Sequence, residues 1–288
     1  MDVKIFGMKL KELKNYFHNE LKLYSKSERQ SFFLILCETY LHLKPHQIVL
    51  NYEMQVLETL FKSFESVLIR LQQNEPIQYI LGTSYFFGLE FLVTPSVLIP
   101  RPETEELVDW VIKHYNKSKS LRILELGTGS GCVAITLAKE FPNAHVYAMD
   151  ISFEALKVAR ANAQKNQVDI TFFKGDILNF NSPYKDFDIV ISNPPYICKK
   201  EQFKMAQNVT DFEPHLALFV DDNSPLIFYD AIKKIISSIL NSNGLCFLEI
   251  NESYGLDIIQ LYSCSDFKNL VLKKDSFGKD RMVKIEKK

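Results

Sequence analysis

Paired cysteines are missing. Cys37, Cys132, Cys198, Cys246 and Cys264 lie far apart and none belongs to a CxxC pair. That distribution disfavours a disulfide framework and a structural zinc site, and it suits a reducing compartment, the cytoplasm. An excess of charge of either sign is missing too: 34 Lys and Arg stand against 35 Asp and Glu, for a formal net charge of -1. No global attraction to nucleic acid follows, so a protein or small-molecule partner is favoured over a direct nucleic-acid substrate. No uninterrupted apolar run reaches membrane-spanning length, and the opening MDVKIFGMKLKEL lacks the apolar core and cleavage site of a signal peptide. His215 has no second histidine at metal-ligand spacing. The expectation is a soluble protein with no membrane partner and no resident metal. What is present, 288 residues of which 47% are hydrophobic, suffices for one α/β domain and a smaller companion.

Residues 1–74 read as a separate helical domain. Leu10, Leu13, Phe17 and Leu21 share one face, and Phe32, Phe33, Leu36 and Tyr40 suggest a second helix. Val56, Leu57, Leu60, Phe61, Phe64, Val67, Leu68 and Leu71 suggest a longer third. Ser27 with Gln30 is the expected capping box of the second helix, and Pro45 suits the first turn of a short one between them. Residues 75–98, with Gly82 and Gly88 among β-branched and aromatic side chains, predict a connecting β-hairpin. Residues 99–288 then carry an α/β pattern. They open on RPETEELVDWVIKHY, where Pro102 starts a helix with Glu103, Glu105 and Glu106 in its first turn.

The chemistry concentrates between Leu121 and Tyr196. A strand, LRILEL, runs into Gly127-Thr128-Gly129-Ser130-Gly131, a turn that lets a ligand approach the backbone ahead of a helix N-terminus. The next apolar strand ends at Asp150, whose carboxylate is placed to receive both hydroxyls of a ribose. This much allows NAD as well as S-adenosyl-L-methionine. Glu125 tilts the choice, because a carboxylate beside the turn opposes a pyrophosphate but suits a cationic methionyl end. Further on, Asp176 is positioned to accept from an adenine amino group and Ile177 to pack on the base, although an ordinary Asx turn also explains the aspartate.

The strand Phe187 to Ser192 ends on Asn193-Pro194-Pro195-Tyr196, at the sheet edge where open parallel sheets hold ligands. The two prolines restrict the backbone and remove N–H groups. In a methyltransferase the Asn193 side-chain oxygen and the Pro194 carbonyl would accept the two hydrogens of a substrate NH2, with Tyr196 against its plane. Holding both N–H groups orients a delocalised amide nitrogen and stabilises the positive charge that grows on it, so no strong base is needed. The other reading is a structural double-proline turn.

With these motifs in place, the chain resembles the protein-(glutamine-N5) methyltransferases that act on peptide chain release factors. The resemblance spans EPIQYILG, VLIPRPETEELVD, ELGTGSGCVAITLA, AMDISFEALKVARANA, GDIL, IVISNPPYI, DFEPHLAL and FGKDRMV. It implies a class I S-adenosylmethionine-dependent methyltransferase fold, with a seven-stranded, mostly parallel Rossmann-like sheet and a small N-terminal helical domain that helps receive the release factor. It assigns Gly127 through Gly131 and Asp150 to S-adenosyl-L-methionine, Ile177 to the adenine, and Asn193 through Tyr196 to a Gly-Gly-Gln glutamine. Pro100, Arg101 and Glu103 border the pocket without an assigned role. Asn251 departs from the family's usual glycine, which bears on local backbone geometry. The alternatives are an N6-adenine methyltransferase, since NPPY is shared with such enzymes, and a noncatalytic cofactor-binding module.

Overall fold

Leu10, Leu13 and Phe17 recur at helical spacing, and all three are buried along one face of the helix Leu10–Glu20. Phe33 and Leu36 do the same for Lys26–Leu41, and Phe64, Val67, Leu68 and Leu71 for Glu58–Gln72. In the computed structural model, which describes residues 5–180 and 182–288, these helices share one core in which Phe17 meets Phe33 and Phe64 at ring separations of 6.1 and 6.0 Å. Two local expectations change. Lys26–Leu41 is capped by Ser25 with Glu28, not by Ser27 with Gln30, because the helix starts earlier; Ser25 Oγ accepts from the Glu28 N–H at 3.2 Å and Glu28 returns the bond at 2.9 Å. Tyr40, expected in the core, is 37% exposed. A short antiparallel pairing of Ile5–Lys9 with Gln55–Leu57 was not foreseen.

The chain divides into two compact units, Met1–Leu81 and Gly82–Lys288. The first therefore extends past residue 74. Ile77–Leu81 is a helix rather than hairpin: Pro76 starts the turn, its carbonyl accepting from the Tyr79 and Ile80 N–H groups, and Gly82 follows the helix at φ +72°. The hairpin is confined to Thr83–Phe86 and Leu89–Leu92, joined by Phe87 and Gly88, both at positive φ as a tight two-residue turn demands.

The second unit is built on a seven-stranded sheet. From one edge to the other the strands are Phe267–Lys274, Asp280–Lys287, Leu240–Glu249, Phe187–Ser192, Arg122–Leu126, His145–Asp150 and Thr171–Lys174. The last five in this order pair in parallel, whereas Asp280–Lys287 is antiparallel to both neighbours. A terminal hairpin that turns at Gly278, between Phe267–Lys274 and Asp280–Lys287, supplies that antiparallel edge. Parallel strands need crossovers, and the helices fall on both faces of the sheet. Pro102–His114, Cys132–Glu140 and Phe153–Lys165 contribute to one core, and Ile227–Ile239 and Gly255–Tyr262 to the other. Burial on both faces explains why RILEL and FDIVIS read as nearly continuous apolar runs.

The strand order reverses beside Arg122–Leu126. The chain passes from it to His145–Asp150 and Thr171–Lys174 on one side, then returns to place Phe187–Ser192 on the other. Ligands of open parallel sheets sit outside the carboxyl ends of the strands at such a reversal. Here those two strand ends carry the glycine turn and Asn193.

Candidate active site

Two cavities open at this edge, of about 410 and about 240 Å³. Asn193, Arg101, Leu98 and Ala217 line both, so Asn193 stands at their junction. The larger cavity takes in Glu125, Gly127, Thr128, Gly129 and Ser130 on one side and Asp150, Asp176 and Ile177 on another. Gly131 is set back: a Cβ there would meet Ile135 and Ala159 at 3.1 and 3.2 Å, so this glycine serves helix packing rather than the cavity surface. Pro195 faces the larger cavity, while Pro194 and Tyr196 face the smaller.

The turn is not a phosphate cradle. Four of its five N–H groups are already engaged: Gly127 and Thr128 donate to Met149 O, Gly129 to Asp150 Oδ2 and Gly131 to Thr128 O, at 2.8 to 2.9 Å. The helix starts at Cys132, and its Ala134 N–H is taken by Glu125 at 3.0 Å. With these four donors engaged and the acidic side chains Glu125 and Asp150 bordering the cavity, the turn suits a cationic ligand better than a pyrophosphate. This separates the two cofactors that the sequence left open. Asp150 accepts one backbone N–H at each oxygen, from Gly129 and Ser152, both at 2.8 Å. A carboxylate has about four acceptor positions, so each oxygen retains capacity for a ribose hydroxyl. Asp176 forms an Asx turn, accepting from the Leu178 N–H at 2.9 Å and the Asn179 side chain at 2.8 Å while still bordering the cavity.

Glu125 is buried, accepting from Thr128 Oγ1 at 2.5 Å as well as from Ala134. Burial pushes its carboxyl up to about 8, against the pull of those two donors, and nearby Asp150 adds to the rise. The sign follows from linkage. A group raised from 4.5 to about 8 on folding favours the fold fully below 4.5, and that contribution is lost as pH rises through about 8. Glu125→Gln keeps an acceptor oxygen for both donors and has no proton to lose. The apoprotein Tm of the variant should therefore gain on wild type by several degrees between about pH 6 and about pH 9. Wild-type affinity for S-adenosylmethionine should rise with pH across that range as Glu125 ionises, and that of the variant should not. Parallel Tm curves across that range, followed by differential scanning calorimetry, would refute this assignment.

Beyond Asn193 lies a buried network that the sequence did not disclose. Tyr196 donates its hydroxyl to Glu249 Oε1 at 2.9 Å, Thr104 donates to Glu249 Oε2 at 2.6 Å, and the Asn193 side-chain NH2 donates to Thr104 Oγ1 at 3.1 Å. Burial raises the Glu249 carboxyl above its ordinary range, while the two hydroxyls and Arg281 oppose the rise. Burial likewise raises the Tyr196 phenol, reinforced by Glu249, and keeps it protonated. The partner of Arg101 is Glu213 of the DFEP segment, at 2.5 Å, with the other Glu213 oxygen accepting from the Ile99 N–H at 3.2 Å. This carboxylate fastens the 99–101 segment to the excursion after the tetrapeptide. That excursion contains three short helical segments, Lys199–Lys204, Gln207–Phe212 and His215–Leu218. It contributes Met205, Val209 and Leu218 to the smaller cavity. His215 bonds to Thr210 O at 2.7 Å, the structural role expected of it.

Asn251 sits at φ -68°, which needs no glycine, and its side-chain NH2 donates to Tyr196 O at 3.2 Å and Glu201 at 3.1 Å. The departure from glycine therefore adds a brace to the tetrapeptide. Among the described residues no group of three or more His, Cys, Asp or Glu side chains is arranged to hold a metal ion, and no helix is long and apolar enough to cross a membrane.

Comparison with known proteins identifies the family. The methyltransferase small domain family matches residues 107–212, and the PrmC N-terminal domain family matches residues 12–82. A release factor glutamine methyltransferase of Flavobacterium psychrophilum is 46% identical over 266 residues, covering 91% of this chain and 93% of its own. One from Bacteroides thetaiotaomicron is 40% identical over 262 residues, covering 91% and 94%. One from Lactococcus lactis is 42% identical over 226 residues, covering 78% and 82%. The chain belongs to the release factor glutamine methyltransferase family.

Proposed function

We propose that this protein transfers a methyl group from S-adenosyl-L-methionine to the N5 nitrogen of the Gly-Gly-Gln glutamine of a peptide chain release factor. The observation that carries the reading is the place of Asn193 at the junction of two cavities, one suited to a cationic nucleoside and the other to a narrow side chain. Glu125, Asp150, Asp176 and Ile177 would hold the cofactor, with Gly127 to Ser130 giving the close approach. When bound, the cofactor supplies an electrophilic methyl group on a sulfonium. The protein's part is to hold the amide. Asn193 Oδ1 and the Pro194 carbonyl accept its two N–H protons, Tyr196 confines its plane, and the acceptors stabilise charge as it develops on nitrogen. One proton leaves after transfer, so the site needs no strong base. The first unit, Met1–Leu81, would serve recognition of the release factor.

The near-neutral charge favours a protein substrate over DNA or RNA. The test follows labelled methyl transfer in parallel to unmethylated release factors, DNA and RNA, with mass mapping of labelled protein. Label is expected on the Gly-Gly-Gln glutamine. Label on adenine alone would replace this reading with N6-adenine methylation, and cofactor binding without transfer to any of them would favour a noncatalytic module.

A further inference from the structure

We propose that Thr104 and Glu249 are positioning residues that fix which end of the Asn193 carboxamide meets the substrate. This rests on the glutamine-methylation reading and deepens it. A carboxamide carries an acceptor and a donor of nearly equal size, and rotation by half a turn exchanges them. Only the oxygen-outward orientation can receive a substrate N–H; the reverse sets NH2 against NH2. Something must therefore select between them.

The selection comes from counting protons. Thr104 Oγ1 and Tyr196 Oη each have one proton to give, and both are directed at the two oxygens of Glu249, at 2.6 and 2.9 Å. A carboxylate only accepts. Once Thr104 has donated to Glu249, its oxygen has only lone pairs to offer Asn193, so it takes the Asn193 NH2 at 3.1 Å. Oδ1 is left for the substrate. The polarity thus runs from the buried carboxylate through a hydroxyl to the amide, among groups of which Thr104 and Glu249 are almost wholly enclosed, at 4% and 1% exposure. Burial matters because Thr104, although it borders the larger cavity, has little surface left for a water that could satisfy either orientation. The same carboxylate also anchors the ring of Tyr196, so one residue on the strand Leu240–Glu249 orients both side chains of the tetrapeptide that face the substrate. Thr104 reaches it from the first turn of Pro102–His114.

The experiment compares wild type, Thr104→Val, Thr104→Ser and Glu249→Gln in the full chain, using an unmethylated release factor as substrate. Valine keeps the shape of threonine but takes away the hydroxyl. Its kcat should fall ~10- to 100-fold, the range set by one misdirected buried hydrogen bond. Calorimetric affinity for S-adenosylhomocysteine should stay within about threefold. Serine, which retains the hydroxyl, should restore kcat to within about threefold of wild type. Glu249→Gln has one acceptor oxygen for two hydroxyls and should lower kcat in the same direction, which tests the relay from its other end should the valine variant fold poorly. Wild-type turnover in both Thr104→Val and Glu249→Gln would overturn the inference. So would a loss of cofactor affinity in step with turnover, or a serine variant as impaired as valine. A wild-type enzyme that labels no release-factor glutamine would overturn the functional reading, and this inference with it.

Discussion

Asn193→Ala is expected to lower methyl transfer to a release factor by about 100- to 1,000-fold, the cost of removing one group aimed at developing charge. Binding of S-adenosylmethionine should change by less than about threefold, because Glu125, Asp150, Asp176 and Ile177, the residues proposed to hold the cofactor, are untouched. The asymmetry comes from position. Asn193 lines both cavities, but its side-chain NH2 is tied to Thr104, whose hydroxyl leads on to Glu249 rather than to the glycine turn or Asp150. The substitution also removes only one of two acceptors, since the Pro194 carbonyl belongs to the backbone and survives any side-chain change. Activity should therefore be crippled rather than erased, with the deficit in kcat more than in the KM for cofactor. Single-turnover transfer and calorimetry on the same preparation measure the two quantities. An equal loss in both would move Asn193 from the substrate to the cofactor.

Much of this site was legible because its determinants are local. The run FDIVIS predicts a strand from Phe187 to Ser192, and the structure has it with those bounds, since six residues of which five are buried, set between turn formers, admit few alternatives. The prolines after Asn193 then fix where the strand must stop. The glycine turn was legible for the same reason, but its electrostatic character was not. Whether its N–H groups face a ligand depends on Met149 and Asp150, which belong to the next strand. The interactions that set side-chain orientation were the least legible. Thr104 and Glu249 are 145 residues apart, and Arg101 and Glu213 are 112 apart. Sequence spacing specifies neighbours along a helix or strand, whereas these pairs meet only through the order in which strands enter the sheet. IPRPETE and DFEP stood out as motifs, and their joint meaning is a single buried carboxylate. Glu249 had a weaker signal, a charged residue closing the apolar run LCFLEI, which a strand buried on both faces does not tolerate without partners. The expected capping box at Ser27 failed on a smaller scale, because two serines, Ser25 and Ser27, precede the same apolar face and only the helix start decides between them.

Gly131→Val should have the largest effect on the fold around the cofactor site, although Gly131 touches no part of the cavity. Three glycines of the turn hold positive φ, Gly127 at +76°, Gly129 at +53° and Gly131 at +82°, yet their surroundings differ. A Cβ on Gly129 meets nothing within 4 Å, so Gly129→Ala carries only the left-handed backbone cost, about 1 to 2 kcal/mol. A Cβ on Gly131 sits 3.1 Å from Ile135, 3.2 Å from the Ala159 methyl and 3.3 Å from its Cα, and the last of these is backbone that cannot swing aside. Valine adds two methyl groups to that contact and is itself a poor occupant of positive φ. Strain and overpacking together should cost about 3 to 5 kcal/mol. Relief requires Cys132–Glu140 to move away from Phe153–Lys165, and the start of Cys132–Glu140 is what Glu125 holds through the Ala134 N–H. The movement would therefore release Glu125 and the turn together, and cofactor affinity should fall more than about 100-fold in whatever fraction remains folded. Equilibrium denaturation of wild type, Gly129→Ala and Gly131→Val, with calorimetric titration of S-adenosylhomocysteine, separates the two positions. Comparable stability for the two variants would show that the crowding behind Gly131 is relieved without disturbing the turn, and would remove it from the structural basis of cofactor binding.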